Sequence, residues 1–474
     1  MKNKNKYFLK NTFIFAISLL STKLITFFLV PLYTKALNPS DYGIVDLLFT
    51  LCSFLFPLFT LNISESIYRF SMDKDSDSVK IINIAFICII ISLLFSLITI
   101  PILSLFLNYK DFNIYFYIYL NTLSISQILL VLLKGQEKLK LFCIGNIINV
   151  FCVAVFNILF LIVYKQGIRG YFLGYISANI ITIIYGLIFN RSSIAKISLK
   201  YDKKLFNEMI KYSIVLIPTS FMWWITNSSD RIMVSYFVGV YANGLYAISY
   251  KIPNLLTSLS SVFNQSWVFS AIKERNSEDL ADYTNKMFDL FFMITNILAL
   301  ITLIFLKSFF KVYVSSSYYN AWKYVPFLVL GFVFMSSATF ISASYNAEKD
   351  SKGFLFSGIF GAITNIIFNF ILIPTIGVYG AALATLISYI AVFIYRIIDT
   401  RKYTKIYIKM NYILMIILTI ISCILTYLNN KYSIFLQVLL LILVVIINRE
   451  KLKLMFLSFK QILKKHINGG NYEK

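Results

Sequence analysis

Apolar stretches near twenty residues long recur along the chain, separated by short polar segments that alternate in charge. About 20 apolar residues in a helix cross roughly 30 Å of hydrocarbon. In lipid every backbone N–H and C=O must be paired within its own segment, so the stretches are read as helices. About fourteen are expected: 10–33, 42–63, 79–106, 113–133, 142–164, 169–190, 207–236, 242–271, 285–308, 324–345, 354–373, 378–397, 408–428 and 432–448. Pro101 is expected to shorten the third, and the last two carry few polar landmarks. The first run, Tyr7 to Leu32, is too long for a signal core and lacks a small-residue cleavage site, so it reads as a span.

Charge orients these helices. The 44 Lys and Arg outnumber the 21 Asp and Glu, giving +23. In a soluble chain that excess would suggest nucleic acid. Here it sits in alternate short loops, so nucleic acid is set aside as a partner and the charge is read as topology. Lys2, Lys4, Lys6 and Lys10 fall on one side with Arg69, Lys74 and Lys80. Lys134, Lys138 and Lys140, then Arg191, Lys196, Lys200, Lys203 and Lys204, join them. The tally is about 32 basic residues on that side against about 8 on the other, which places both termini in the cytoplasm. Two basic pieces, Lys200 to Lys211 and the tail around Leu452, Met455, Phe456, Phe459 and Leu463, read as interfacial amphipathic helices. The single histidine, His466, is a solvated tail residue on this reading. All five cysteines lie in apolar runs without metal-ligand spacing and read as core residues.

The chain also repeats itself. Phe156-Asn157, an apolar run, and Gly167 and Gly170 opening the next helix are answered by Phe368-Asn369, Gly377 and Gly380. A fainter echo sets Gly43 against Gly244. Six helices separate matched elements, so both copies have the same orientation. The expected fold is all-α integral membrane, with two six-helix lobes related by a pseudo-two-fold axis along the membrane normal. The lobes are residues 1–199 and 200–400, followed by residues 401–474 with two C-terminal helices and the tail.

Ionisable side chains deep in a span normally face a cavity or a partner. Lys23 lies roughly 20 Å along its helix from Lys10 at 1.5 Å per residue. Asp46 opens a polar stripe on helix two with Thr50, Ser53 and Thr60, and Glu65 and Arg69, four apart at its inner end, are placed to pair. Helix seven ends with Asp230 and Arg231. Helix eight presents Lys251, Asn254, Ser258, Ser261 and Gln265 along one face. Lys23, Arg231, Lys251, Asn254, Ser258 and Gln265 are thus candidates to line a water-accessible, net cationic cavity, with Asp46, Asp230, Glu65 and Arg69 balancing charge or binding a coupling ion. Trp223, Trp224 and Trp267 are read as packing residues before sugar-stacking ones. No Walker lysine loop, zinc spacing or nucleophile elbow is present. The chain reads as a transporter without a cofactor, and proton or Na⁺ coupling stays open.

Two segments carry a family resemblance. FFLVPLYTKALNPSDYGIVDLL from Phe27, continued by NISESIYRF from Asn62, resembles the opening of the Wzx-type polysaccharide-biosynthesis flippases, the O-antigen repeat-unit translocases. NSSDRIMVSYFVGVYANGLYAISYKIP from Asn227 resembles the start of their second half, through Asp230, Arg231, Gly239, Gly244, Tyr246, Tyr250, Lys251 and Pro253. The resemblance spans almost the whole chain. It implies the multidrug/oligosaccharidyl-lipid/polysaccharide exporter superfamily, with two lobes around a V-shaped cavity. It further implies an undecaprenyl-pyrophosphate-linked oligosaccharide as substrate, moved to the outer leaflet of a bacterial inner membrane for O-antigen, capsule or exopolysaccharide. Membrane lipids, a polymerase and a chain-length regulator are the implied partners. The rival readings are a multidrug/cation antiporter, for which an acidic cavity is expected, and a lipid II flippase. A membrane-bound polymerase or glycosyltransferase would need larger loops than these.

Overall fold

Every regular element is helical among the residues that the structure, a computed structural model, describes: 18, 20–73, 76–107, 110–195, 201–428 and 431–453. The lysines at 2, 4, 6, 10, 74, 196 and 200, the tail helix beyond residue 453 and His466 lie outside these residues. Ten helices are long and apolar enough to cross a membrane. The expected first, seventh, eighth and last spans are not among them. The first begins outside the described residues, the seventh is rich in polar positions, the eighth is broken, and the last is short.

After a helical stretch at 20–28, α1 (Val30–Ala36) leads through the Asn38 cap into α2 (Pro39–Phe59). The Asn38 side chain accepts the Asp41 N–H at 2.9 Å, satisfying one of the donors a helix start leaves open. α2 does not run on to residue 63. Leu61 and Asn62 take left-handed φ values of 52° and 51°, and Asn62 N–H reaches Pro57 O at 2.8 Å while Leu61 N–H reaches Leu58 O. That pairing is a Schellman stop with leucine where glycine is usual, and α3 (Ile63–Ser71) starts afresh. α4 (Ser78–Leu107) runs straight through Pro101, against expectation. α5 (Asn113–Gly135) and α6 (Leu139–Asn157) follow, and α6 widens into a π-helix over Ile158–Val163 before α7 (Gly167–Phe189) and the single turn α8 (Arg191–Ile194).

α9 (Lys203–Phe237) absorbs Lys203–Lys211, which is therefore the first turns of a long helix and not a separate surface helix. The expected eighth helix is divided at Tyr250 into α10 (Val240–Ser249) and α11 (Lys251–Lys273). Pro253 lacks the N–H that would bond Ser249 O. α12 (Leu280–Tyr313), α13 (Val325–Ile341), the short α14 (Ala343–Ala347), α15 (Ser351–Ile376), α16 (Val378–Asp399), α17 (Met410–Tyr427) and α18 (Lys431–Ile447) complete the order.

The chain forms two compact units. One comprises the described residues up to Leu259 with Val312–Ala321 and Ala362–Ala384. In it α5, α6 and α7 pack together, α10 lies along α2, and α9 lies along α2 and α3. Amide and hydroxyl side chains fasten these helices where apolar attraction is weak in lipid. Asn149 donates to Asn179 at 3.1 Å and Thr182 at 2.9 Å, and Ser66 is bonded to Met209 O and Ser213 on α9. At the end carrying the basic loops, Lys80 on α4 holds Asp202 at 2.9 Å, while Asp202 accepts the N–H groups of Lys204 and Leu205. The Lys80 ammonium and these backbone donors keep the Asp202 carboxyl below its ordinary pKa.

The repeat persists as geometry. Gly167 and Gly377 have φ values of +57° and +59°, and a Cβ on Gly170 or Gly380 would strike the carbonyl oxygen of Phe160 or Leu372. The buried Asn157 donates to Tyr33 on α1 at 3.1 Å, while Asn369 donates to Asn365, which also accepts from Ser229 on α9. Glu137 and Lys349, matched turn positions that the sequence reading missed, are both left-handed, at φ 59° and 55°.

The other unit comprises Ser260–Lys311, Trp322–Gly361 and the described residues from Thr385 onward. Asp289 on α12 binds Lys409 at 2.7 Å and Lys451 at 2.6 Å, and Asn285 clasps the backbone of Lys405 and Tyr407. Arg396 is 1% exposed; its Nε donates to Ser357 and its Nη1 to Ala338 O, with the guanidinium 5.2 Å from the Phe354 ring. Between α14 and α15, Asp350 accepts from Gly353 N–H, Tyr403 and Lys402, and these donors pull its carboxyl down to about 2.

Candidate functional site

Two glycines bring α2 and α10 into backbone contact within the first unit. A Cβ on Gly43 would lie 1.9 Å from Val240 O, and one on Gly244 would lie 1.9 Å from Pro39 O. Gly43 matches Gly244 and Pro39 matches Val240 at the same interval of 201 residues, and each copy meets the other through the same atoms. That reciprocity is a local two-fold relation between the helices. Only glycine permits so close an approach. Asn243 Nδ2 adds a bond to Gly43 O at 3.0 Å and reaches Asp46 Oδ2 at 3.4 Å.

One turn along, the charges gather. Arg231 Nη1 donates to Asp46 Oδ1 at 2.8 Å, tying α9 to α2 across 185 residues of chain. The guanidinium lies 5.3 Å from the Tyr250 ring, and its Nε is buried without a hydrogen-bond partner among the described residues. Asp230, the neighbour in sequence, faces elsewhere. Its Oδ2 accepts from Tyr246 at 2.6 Å and Tyr250 at 2.9 Å, and its Oδ1 accepts the Arg231 N–H. Asp46 and Asp230 are both buried. A buried charge is tolerated where partners surround it, and removing one partner of such a pair typically costs several kcal/mol.

Lys251 opens α11 beside this cluster, its ammonium 5.8 Å from the Tyr42 ring and within the field of Asp46. Lys23, exposed on the 20–28 stretch, stands near enough to Lys251 for the two charges to repel. Aromatic rings line the neighbourhood: Tyr42 meets Tyr171 at 6.5 Å and Tyr318 at 6.1 Å, and Tyr171 stacks on Tyr175 at 5.1 Å. Lys23, Asp46, Asp230, Arg231 and Lys251, predicted separately, thus belong to one neighbourhood.

The remaining candidates lie further along α11 or on α3. Asn254 is exposed and accepts the Ser258 hydroxyl on its carbonyl at 2.8 Å, while Gln265 is exposed and belongs to the second unit. Glu65 and Arg69 do not pair. Arg69 bonds Asp73, one turn further on, because the helix ends at Ser71 and lets the chain fold back. Two tryptophans pack as expected: Trp224 donates to Thr50 O and Ser53 Oγ on the α2 stripe, and Trp267 donates to Phe340 O. Tyr42, Asn243, Tyr246 and Tyr250 were not singled out as site residues from the sequence, although the run of tyrosines after Gly244 was a legible cue. Among the described residues no group of three or more His, Cys, Asp or Glu is placed to hold a metal ion.

Comparison with known proteins fits this arrangement. The polysaccharide biosynthesis protein family matches residues 8–272, more than half of the chain, and the lipid II flippase MurJ family matches residues 319–446. An uncharacterized membrane protein of Methanocaldococcus jannaschii is 25% identical over 382 residues, covering 76% of this chain and 89% of its own. The fold is similar to that of a lipid II flippase MurJ in an inward closed conformation. The TM-score is 0.72 at 16% identity, over 94% of this chain and 100% of that one. It is also similar to an inward-facing multidrug resistance MATE family transporter of the MOP superfamily. There the TM-score is 0.63 at 13% identity, over 82% and 97% of the two chains. This multi-pass, all-helical membrane protein, with the fold shared by those transporters, belongs to the polysaccharide biosynthesis protein family.

Proposed function

We propose that the protein flips a lipid-linked oligosaccharide, an undecaprenyl-pyrophosphate-borne repeat unit, from the cytoplasmic to the outer leaflet of a bacterial cell membrane. One observation carries this reading. Lys251 lies beside the buried Arg231–Asp46 pair with its ammonium 5.8 Å from the Tyr42 ring, and Lys23 stands near it, in a neighbourhood lined by Tyr171 and Tyr175. Two like charges in that setting favour an anion between them, and a pyrophosphate with its glycan meets that need. Residues 1–199 and 200–400 then act as rocking lobes, with residues 401–474 appended. Asp46, Asp230, Glu65 and Arg69 remain candidates to balance charge or couple an ion, and Asn254, Ser258 and Gln265 to meet sugar hydroxyls. O-antigen, capsule or exopolysaccharide, with a polymerase and a chain-length regulator as partners and both termini cytoplasmic, complete the proposal.

Replacing Lys23 and Lys251 together with alanine is expected to abolish surface polymer while leaving the protein inserted. Normal polymer in that double variant refutes the role. The match of residues 319–446 to the lipid II flippase family favours a second reading with the same pyrophosphate chemistry. Deletion of the gene separates them: a viable, polymer-deficient strain supports repeat-unit export, and loss of viability supports lipid II.

A further inference from the structure

The second unit contains a cavity of about 210 Å³, outside the cluster described above. Lys307 and Ser308 of α12, Thr426 of α17, and Ser433 and Gln437 of α18 supply its polar lining; the rest is leucine and isoleucine. No carboxylate lines it. It lies toward the C-terminal ends of α12 and α17, whose other ends adjoin the loops carrying Arg275 and Tyr403.

Three features give this cavity a chemistry. The first is charge. Lys307 is half-buried and its ammonium lies 4.4 Å from the Trp322 ring. Ser433 sits in the first turn of α18, a seventeen-residue helix whose leading N–H groups and dipole favour an anion. The second is rigidity. Gln437 is buried, and its Nε2 donates to Ser422 O at 2.9 Å and Thr426 Oγ1 at 2.8 Å, locking α18 to α17 beside the cavity. The third is the setting. The buried Trp322 and Tyr427, the last residue of α17, have ring centroids 5.6 Å apart at this end of the apolar helices, where aromatic residues are enriched at a membrane–water interface. Phe305, Ile434 and Phe435 are exposed at 62%, 51% and 61%, an apolar bed along the same helices.

We propose that this cavity binds the headgroup of an anionic phospholipid from the leaflet on that side. The phosphate is held by Lys307, Ser433 and the first turn of α18, with the acyl chains laid along Ile434 and Phe305. A free phosphate would use the same polar groups and gain nothing from the apolar bed, so the lipid is the favoured source.

Native mass spectrometry of the purified protein, titrated with phosphatidylglycerol or phosphatidylcholine, tests this. One phosphatidylglycerol is expected to be retained in preference to phosphatidylcholine. Lys307→Gln should weaken that retention about fivefold, the loss expected for one basic residue at a membrane surface, whereas Lys311→Gln should leave it unchanged. Equal retention of the two lipids, or full retention by Lys307→Gln, overturns the proposal. Displacement of the lipid by inorganic phosphate at millimolar concentration overturns the lipid assignment. Should Lys307→Gln fail to fold, Ser433→Asp sets a carboxylate at the cavity. Undiminished phosphatidylglycerol binding in that variant is equally fatal.

Discussion

Arg231→Met strips Asp46 of its cation. The carboxylate is 8% exposed, and its one other hydrogen-bond donor among the described residues, Asn243 Nδ2, stands at 3.4 Å. Leaving a buried carboxylate unpaired costs about 3–5 kcal/mol, which is a factor of roughly 10² to 10⁴ in the equilibrium. Asp46→Leu should cost a similar amount, because Arg231 then keeps only the Tyr250 face and its distance to Asp230. Combining the two substitutions removes both charges and lets the methionine and leucine pack. Such exchanges are often neutral or better, so the double variant is expected to recover to within about 1 kcal/mol of the parent. The assay is a double-mutant cycle on protein purified in detergent, followed by unfolding midpoint and by surface polymer in cells. A coupling of about 3 kcal/mol or more is expected. If Arg231→Met unfolds with the parent, or if the double variant loses the sum of the two single losses, the pair does not carry the contact between α9 and α2.

Three further outcomes follow from the geometry. Gly244→Ala sets a methyl 1.9 Å from Pro39 O and forces α10 and α2 apart by about 1.5 Å; overpacking of this kind costs about 1–3 kcal/mol, and unchanged thermal stability would deny the close contact. Leu61→Gly relieves a left-handed leucine, so a stabilisation of about 1 kcal/mol is expected, and a lowered melting temperature counts against it. The Asp350 carboxyl, held down to about 2 by Gly353 N–H, Tyr403 and Lys402, contributes stability that is full above its unfolded pKa near 4 and lost as pH falls toward about 2. Melting curves of the parent and Asp350→Asn should therefore converge over that interval and stay apart at pH 6; a constant gap down to pH 2 contradicts the assignment.

The helices were legible because the bilayer demands them: length and apolarity suffice, and the matched Asn and Gly positions betrayed the repeat. Breaks inside helices were harder to read. Pro253 announces the division at Tyr250, yet Pro101 leaves α4 unbroken, since a proline removes one bond and its neighbours decide whether the helix yields. Leu61 carries no such cue, because leucine does not favour a left-handed turn; Asn62, a residue that tolerates one, was the legible hint. The charged residues were found one by one, but their partners were not. Asp230 and Arg231 are adjacent in sequence and point about 100° apart on a helix, so the arginine's true partner lies 185 residues away. Glu65 and Arg69 had the right spacing, and the end of α3 gave Arg69 a better partner in Asp73.

The π-helix at Ile158–Val163 has a consequence for the two halves of the chain. Ten positions lead from Asn157 to Gly167, but only eight lead from Asn369 to Gly377. Two surplus residues in a regular helix would swing everything beyond them by about 200° and advance it by about 3 Å. The widened turn and the non-helical Tyr164–Gln166 after it together take up that surplus, so a positive-φ glycine follows the asparagine in both copies. The two hairpins are therefore kin without being interchangeable: a chimera carrying one in place of the other would inherit the anchors and lose their alignment.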